Sequence, residues 1–179
     1  MNLWHDISAG ENAPKEINVI IEIPKGSHNK YEIDKETGLI KLDRANYSDA
    51  AYPAEYGFVP QTLWDDGDAV DVLLLATYPI PTGILVSARP VALMEMIDDG
   101  ESDYKIIAVP SEDVRWDDVN DLNDLNQHTL KEIQHFFENI KKLKKKPVVT
   151  EIQGFKGKAE AVAAIERSMH LYQDKFGKK

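Results

Sequence analysis

The acidic stretch Asp65-Asp66-Gly67-Asp68-Ala69-Val70-Asp71 leads directly into the apolar segment Val72-Leu73-Leu74-Leu75. Four carboxylates therefore fall within seven residues, immediately before a segment that is typical of a buried strand. Like charges this close raise one another's pKa and destabilise the fold unless a positive charge lies between them. The chain has no cysteine, and no histidine lies near this stretch. The pattern therefore favours a hard divalent cation with oxygen ligands, Mg²⁺ before Zn²⁺.

A solvated acidic turn is the alternative interpretation of this stretch. A calcium loop of the EF-hand type does not fit. If the loop began at Asp66, its sixth residue should be glycine and is Asp71, and its twelfth should be glutamate and is Thr77. The stretch alone leaves the acidic turn and the metal site about equally open, and the rest of the chain has to decide.

Length and composition exclude several classes of protein. A chain of 179 residues is most simply one domain, residues 1–179. Acidic residues outnumber basic ones by 31 to 21, and the net charge of -10 argues against a nucleic-acid partner. The absence of cysteine excludes disulfides and thiol catalysis and is compatible with the predicted cytoplasmic location. We expect no membrane partner, because no segment approaches the roughly 20 apolar residues that a spanning helix needs.

The apolar pattern predicts a chain that is mainly β. The first 15 residues are expected to form an arm or loop, and residues 47–60 an ordered but irregular path. Alternating or continuous apolar residues between turn signals indicate strands. The predicted strands are Ile17–Pro24, Lys30–Asp34, Leu39–Arg44, Asp71–Ala76, Ile84 to about Met96, Tyr104–Val109 and Pro147–Ile152.

Two helices are predicted after Pro110. In the first, Gln127–Lys141, apolar residues recur at three- and four-residue steps, at Leu130, Ile133, Phe137 and Ile140. In the second, Lys158–Phe176, the predicted apolar stripe consists of Val162, Ile165, Met169, Tyr172 and Phe176. The fold class that follows is α+β, mainly β, with a small barrel or strongly bent sheet and two C-terminal helices packed on it.

Two acidic turns could form one site if their strands are neighbours in the sheet. These turns are 66–71 and 98–103, and Glu22 could join them from the first strand. Five or six carboxylates around one cleft would hold two or more Mg²⁺ ions. The cations and phenols available to face them are Lys30, Arg44, Lys105, Lys141, Tyr52 and Tyr56, a set that suits a small, highly charged phosphate. Neither a G-x-S-x-G elbow nor a phosphate-binding G-x-x-x-x-G-K-[ST] loop occurs.

The chain resembles the family I soluble inorganic pyrophosphatases, of the prokaryotic type, over nearly its whole length. The similarity is in the order and spacing of several short blocks. These are Glu22-Ile23-Pro24, Lys30-Tyr31-Glu32-Ile33-Asp34, Asp43-Arg44, Tyr52-Pro53-x-x-Tyr56-Gly57, Asp66-Gly67-Asp68-Ala69-Val70-Asp71, Asp98, Asp103-Tyr104-Lys105 and His135-Phe136-Phe137-Glu138. The resemblance implies an OB-like five-stranded barrel with appended strands, usually assembled as a hexamer.

The resemblance also implies a role for each residue of the site. Asp66, Asp71 and Asp103 would bind Mg²⁺, two or more ions per site, and Asp98 would complete the acidic cleft as a further metal-binding residue. Asp68 would be the general base in the hydrolysis of inorganic pyrophosphate. The phosphates would be held by Lys30, Arg44, Tyr56 and Lys141, and also by Lys105 beside the second acidic turn. Supporting residues would be Glu22, Glu32 and Tyr52.

Three positions depart from the family pattern. Ala69 stands where the family usually has proline, which is expected only to loosen the turn. Phe155 replaces a common tryptophan. Ile140 occupies the helix position of a phosphate-binding tyrosine and cannot donate a hydrogen bond.

A binding module is the alternative function from another class. It would be an OB-type domain that captures a small anionic phosphate ligand with metal and does not hydrolyse it. It would need the same carboxylates and lysines, but it would not need Asp68 as a base.

Overall fold

The computed structural model describes residues 1–177 and is mainly β. Nine strands and two α-helices occur in this part of the chain, with two short 3₁₀ turns at 114–116 and 122–124. The strands are β1 (Ile17–Ile23), β2 (Asn29–Ile33), β3 (Ile40–Ala45), β4 (Glu55–Phe58), β5 (Asp71–Leu74), β6 (Leu85–Asp98), β7 (Glu101–Ser102), β8 (Lys105–Pro110) and β9 (Thr150–Lys156). The helices are α1 (Gln127–Asn139) and α2 (Lys158–Phe176). Neither is long and apolar enough to cross a membrane.

Five strands close into a barrel. The pairing follows β1, β4, β5, β8 and β6, and β6 pairs back to β1. Only the β5–β8 pair is parallel, and the other four pairs are antiparallel. Both β7 and β9 extend the sheet from β6, and β2–β3 is a separate hairpin. The predicted α+β class, with an OB-like five-stranded barrel, appended strands and two C-terminal helices, is confirmed.

The prediction of an irregular path over residues 47–60 is wrong at β4. This strand is buried along its whole length and joins β1 to β5, so the barrel would not close without it. At Gly57 a Cβ atom would lie 2.0 Å from the carbonyl oxygen of Ile20, so only glycine permits this approach of the two strands. The segment lacked the alternating pattern because both of its faces are covered.

Several element bounds differ from the predicted ones. The last strand is Thr150–Lys156 instead of Pro147–Ile152, because it is placed by its pairing with β6. The first helix ends at Asn139, where Ile140 forms the C-cap, instead of at Lys141. The second helix has the predicted bounds, but its buried face is formed by Ala161, Ala164, Ile165, Ser168 and Tyr172. Small residues lie against the barrel there because they permit close packing, whereas the predicted Phe176 is exposed.

The N-terminal arm contacts the body of the protein. Trp4 is 4% exposed, and its indole Nε1 donates to the carbonyl of Thr62 at 2.8 Å. Its ring lies 5.5 Å from the ring of Phe176 at the end of α2, edge to face. The prediction of an arm without regular structure is therefore correct, but the arm is held in place by this aromatic cluster.

Candidate active site

All thirteen site residues predicted from the sequence line one cavity of about 590 Å³ at the mouth of the barrel. They come from seven strands, the segment before β4, the acidic loop before β5, the second acidic turn and the residue after the C-cap of α1. They are Glu22, Lys30, Glu32, Arg44, Tyr52, Tyr56, Asp66, Asp68, Asp71, Asp98, Asp103, Lys105 and Lys141. The two acidic turns meet here because β5 and β8 are parallel neighbours, with Asp71 opposite Lys105.

Lys105 lies at the centre of the cavity floor. Its side chain is buried, and its ammonium group donates to Asp71 at 2.8 Å, to Asp103 at 2.8 Å and to the hydroxyl of Tyr56 at 2.9 Å. The Tyr56 hydroxyl donates in turn to Asp71 at 2.5 Å. Burial alone would lower the pKa of Lys105, but the two carboxylates raise it above its ordinary value. This lysine therefore stays charged and joins the two acidic turns.

The acidic loop is shaped by its own backbone bonds. The amide of Asp68 donates to Asp66 Oδ1 at 3.0 Å, and the amide of Trp64 donates to the carbonyl of Asp68 at 2.7 Å. Gly67 has a φ of +86°, a conformation that glycine adopts without strain. The resulting turn places Asp66, Asp68 and Asp71 on the cavity wall.

Three carboxyl groups of the cavity have raised pKa values. Burial, reinforced by the charge of Asp71, raises the pKa of Glu22 to about 8. Burial raises the pKa of Asp66 to about 6, with further contributions from Asp103, Asp71 and Asp68. Burial and the charge of Asp103 also raise the pKa of Asp71, although Lys105 opposes the shift. These groups would each be stabilised in the ionised form by a bound cation.

Cationic side chains form a second part of the cavity lining. Lys30 donates to Glu32 at 3.0 Å and to Asp43 at 3.2 Å, and Arg44 also donates to Asp43, at 2.8 Å. On the other side of the cavity, Lys141 donates to Asp98 at 2.5 Å.

Asp98 accepts hydrogen bonds from two side chains. Thr150 Oγ1 donates to it at 2.8 Å, in addition to the bond from Lys141. Burial opposes the shift, but these two bonds lower its pKa. Asp98 therefore carries a stable negative charge that holds Lys141 in place.

Aromatic side chains form a third part of the cavity lining. Burial raises the pKa of Tyr52 to about 12, and its ring lies 5.7 Å from that of Tyr56. Behind both rings lie Phe136 and Phe137 of α1. The phenols are thus held rigidly beside the charged groups.

The donor set fits Mg²⁺. Ten carboxylates and six cationic side chains line the cavity, so negative charge is in excess before any anion enters. Within residues 1–177, no three acidic or histidine side chains form a closed cage for a metal ion. This openness is compatible with Mg²⁺, which keeps several of its waters and takes only one or two carboxylates from the protein. Zn²⁺ would instead favour nitrogen and sulfur ligands.

Several residues that line the cavity were missed by the sequence analysis, among them Lys35, Lys41 and Glu101. Lys35, in the turn between β2 and β3, contacts the carboxylate of Asp68. The two residues are 33 positions apart and lie in different turns, so no local sequence pattern could have predicted their contact.

Comparison with known proteins identifies the family. The family model for inorganic pyrophosphatase matches residues 19–173. The chain belongs to the inorganic pyrophosphatase family. Among its relatives in this family, an inorganic pyrophosphatase of Haloferax volcanii is 48% identical over 176 residues, which cover 98% of this chain and 99% of the relative. A soluble inorganic pyrophosphatase of Zea mays is 48% identical over 169 residues, 94% of this chain and 78% of the relative.

Solved structures of the family have the same fold. The inorganic pyrophosphatase of Thermus thermophilus is 40% identical, with a TM-score of 0.93, and the match covers 97% of this chain and 99% of that one. The Helicobacter pylori enzyme is 39% identical, with a TM-score of 0.86 over 94% of this chain and 99% of that one. The resemblance inferred from the sequence blocks is confirmed.

The structure shows where the three residues that depart from the family pattern lie. Ala69 is buried under the acidic loop, and Phe155 packs against the core between the barrel and α1. Ile140 is 8% exposed, belongs to the same core cluster and also lines the cavity. The isoleucine is therefore both a core residue and part of the cavity floor.

Proposed function

We propose that this cavity is the active site of an inorganic diphosphatase. Membership of the family establishes the reaction, which is the hydrolysis of inorganic pyrophosphate to two orthophosphates. The single observation that carries the assignment to this cavity is the meeting of two acidic turns around buried Lys105, in a cavity that five further cationic side chains also line. A ligand-capture module is not favoured, since the relatives are named as pyrophosphatases.

In this proposal Asp66, Asp71 and Asp103 hold Mg²⁺, two or more ions per site. When bound, the metal would offset the charge of the phosphates and lower the pKa of a water molecule. Asp68 takes the proton of the attacking water. As this happens, the water oxygen bonds to phosphorus, and the bond between that phosphorus and the bridging oxygen breaks. Lys30, Arg44, Tyr56 and Lys141 hold the phosphate oxygens and stabilise the negative charge on the departing phosphate.

Lys105 and the remaining carboxylates support this arrangement. The ammonium group of Lys105 keeps Asp71 and Asp103 at a fixed separation, and Asp98 orients Lys141. Glu22 accepts a hydrogen bond from the amide of Ile33 at 2.7 Å, which ties β2 to the barrel. Glu32 holds Lys30, and Tyr52 packs beside Tyr56.

A phosphate-release assay tests the proposal. With pyrophosphate and Mg²⁺ we expect two orthophosphates per turnover, and no release after chelation of the metal. Binding of pyrophosphate and Mg²⁺ by calorimetry without phosphate release would instead support the ligand-capture module.

Binding of Mg²⁺ should release protons near neutral pH. Glu22 and Asp66, with pKa values of about 8 and about 6, are partly protonated there, and a nearby cation favours their ionised forms. Release should be largest between about pH 6 and 8 and should vanish above pH 9, where both groups are already ionised. Calorimetric titrations with Mg²⁺ in buffers of different ionisation enthalpy measure it. Glu22→Gln should still bind Mg²⁺ but should no longer release protons near pH 8. Release of the same number of protons at every pH would contradict the prediction.

Ile140→Tyr should lower KM with little change in kcat. A phenol on the cavity floor would donate to a charged phosphate oxygen, a bond worth about 1.5–3 kcal/mol when well aligned. Because this bond forms with bound substrate as well as in the transition state, it should tighten substrate binding without speeding the chemical step. Steady-state phosphate release measures both constants. A loss of thermal stability with unchanged KM would show that Ile140 acts only in the core.

The assembly, the domain organisation and the location are also part of the proposal. We infer a homo-oligomer, a hexamer by resemblance to the family. Large apolar side chains exposed on the surface, among them Tyr78, Ile84 and Leu85, support an assembly. Sedimentation velocity would measure its mass. One domain over residues 1–179 and a cytoplasmic location remain predictions, and residues 178 and 179 lie outside the described part of the chain.

A further inference from the structure

Lys35 extends from the turn between β2 and β3 across the cavity mouth to the acidic loop. Its ammonium group contacts the carboxylate of Asp68 and lies 3.5 Å from the carbonyl oxygen of Gly67. The hairpin that carries Lys35 is not part of the barrel sheet. The contact therefore joins two separate parts of the structure at the proposed general base.

Within the described residues 1–177, the Asp68 side chain has no other ion-pair or hydrogen-bond partner. The hydrogen bonds that Asp68 makes within its loop use its backbone groups, and among residues 1–177 only Lys35 forms an ion pair with its carboxylate. The side chain is 55% exposed, so packing does not hold it in one rotamer. Without Lys35, the carboxylate would be free to rotate toward solvent.

The turn that carries Lys35 is itself anchored. At its beginning, the amide of Ile33 donates to buried Glu22 at 2.7 Å. At its end, Gly38 lies against the N-terminal arm, where a Cβ atom would come within 2.6 Å of the Cα of Asn2. The Lys35 ammonium lies 6.0 Å from the centre of the Trp4 ring, at the outer limit of a cation–π contact. These contacts fix where Lys35 can reach.

We propose that Lys35 is a positioning residue that holds the Asp68 carboxylate in the orientation in which it accepts the proton of water. The inference rests on the proposed role of Asp68 as the base. An ion pair this exposed contributes little to stability, so its effect should appear in the chemistry. Small displacements of a reacting group lower the rate steeply, and a misplacement of about 1 Å can cost 10²-fold.

Lys35→Met should lower kcat about 10-fold and leave KM within about twofold, since orientation of the base matters in the transition state and not in substrate binding. Lys35→Arg, which keeps a charged donor, should recover most of the loss. The matched control is Lys156→Met, which removes an equally exposed lysine whose partner Glu95 lies 3.9 Å away on the barrel surface. We expect this control to have the activity and melting temperature of the wild type. A rise in KM without a fall in kcat would overturn the proposal, because Lys35 would then bind substrate.

A double variant separates the positioning role from a general charge effect. In the Asp68→Asn background, Lys35→Met should change kcat less than twofold, because there is no base left to orient. A 10-fold loss in both backgrounds, or wild-type kcat in Lys35→Met alone, would overturn the positioning role. If Asp68→Asn alone has the kcat of the wild type, the proposed base is wrong, and this result is visible before Lys35 is changed.

Discussion

Asp68→Asn should lower kcat by roughly 10²–10⁴, the range expected when a general base is lost. The amide has the shape of the carboxylate but cannot take the proton of water. Fold and Mg²⁺ binding should be preserved, because the turn is held by backbone bonds of Asp68 and because the proposed ligands are other residues. Phosphate release under saturating pyrophosphate and Mg²⁺ measures the effect.

The matched control for this variant is Asp65→Asn in the same loop. Asp65 is also exposed but does not line the cavity, and it pairs with Arg167 at 2.7 Å. The control should keep kcat within about twofold, since only an exposed ion pair is lost. Calorimetry with Mg²⁺ should give the same affinity for both variants. If Asp68→Asn keeps a kcat within a few-fold of the wild type, another group must accept the proton of the attacking water.

Lys105→Met should be the most destabilising single change in the cavity. The substitution leaves Asp71 and Asp103 facing each other without the ammonium group between them. Breaking such a buried pair costs about 3–5 kcal/mol, and we expect the lower end because one-fifth of each carboxylate side chain is exposed. For a chain of this length, about 3 kcal/mol corresponds to a fall in melting temperature of roughly 6–12 °C. Calorimetric or circular-dichroism melting curves measure it.

The loss in Lys105→Met should depend on pH and on metal. Without the lysine, the two carboxylates repel each other, and the pKa of Asp71, already raised by burial, should rise further above its value in the unfolded chain. Stability should therefore fall as the pH rises from about 4 toward neutral, and the difference from wild type should be small at the acid end. Millimolar Mg²⁺ should restore part of the loss by placing positive charge between the carboxylates. An equal loss at pH 5 and pH 8, with no effect of Mg²⁺, would indicate lost packing instead.

The strands and helices could be predicted largely because their signals are local. β1 and the bounds of α2 follow from apolar periodicity and from the glycines and prolines beside them. β4 could not be predicted, because a strand covered on both faces has no alternation. The prediction for the buried face of α2 was correct at Ile165 and Tyr172, but it missed the small residues of that face. Large apolar residues were taken as the packed ones, whereas the barrel surface accepts the alanines and a serine.

The candidate site was predicted in two ways. Charge crowding in the loop before β5 indicated a hard cation, by physical chemistry alone. The assignment of a separate role to each of the thirteen residues came from the resemblance to a family and not from spacing. All thirteen line one cavity, which is what those roles require, and Lys35 lines it with them.

The sequence by itself determined the composition of the site: an acidic loop with a turn glycine, entering a buried strand, in a chain rich in β signals. Only the tertiary structure decided which groups face each other. Lys105 meets Asp71 because β5 and β8 pair in parallel, with these two residues opposite each other. Lys35 meets Asp68 because the hairpin is anchored to Glu22 and to the N-terminal arm. Such contacts depend on the register between distant segments, which many packing interactions fix together and no local pattern encodes.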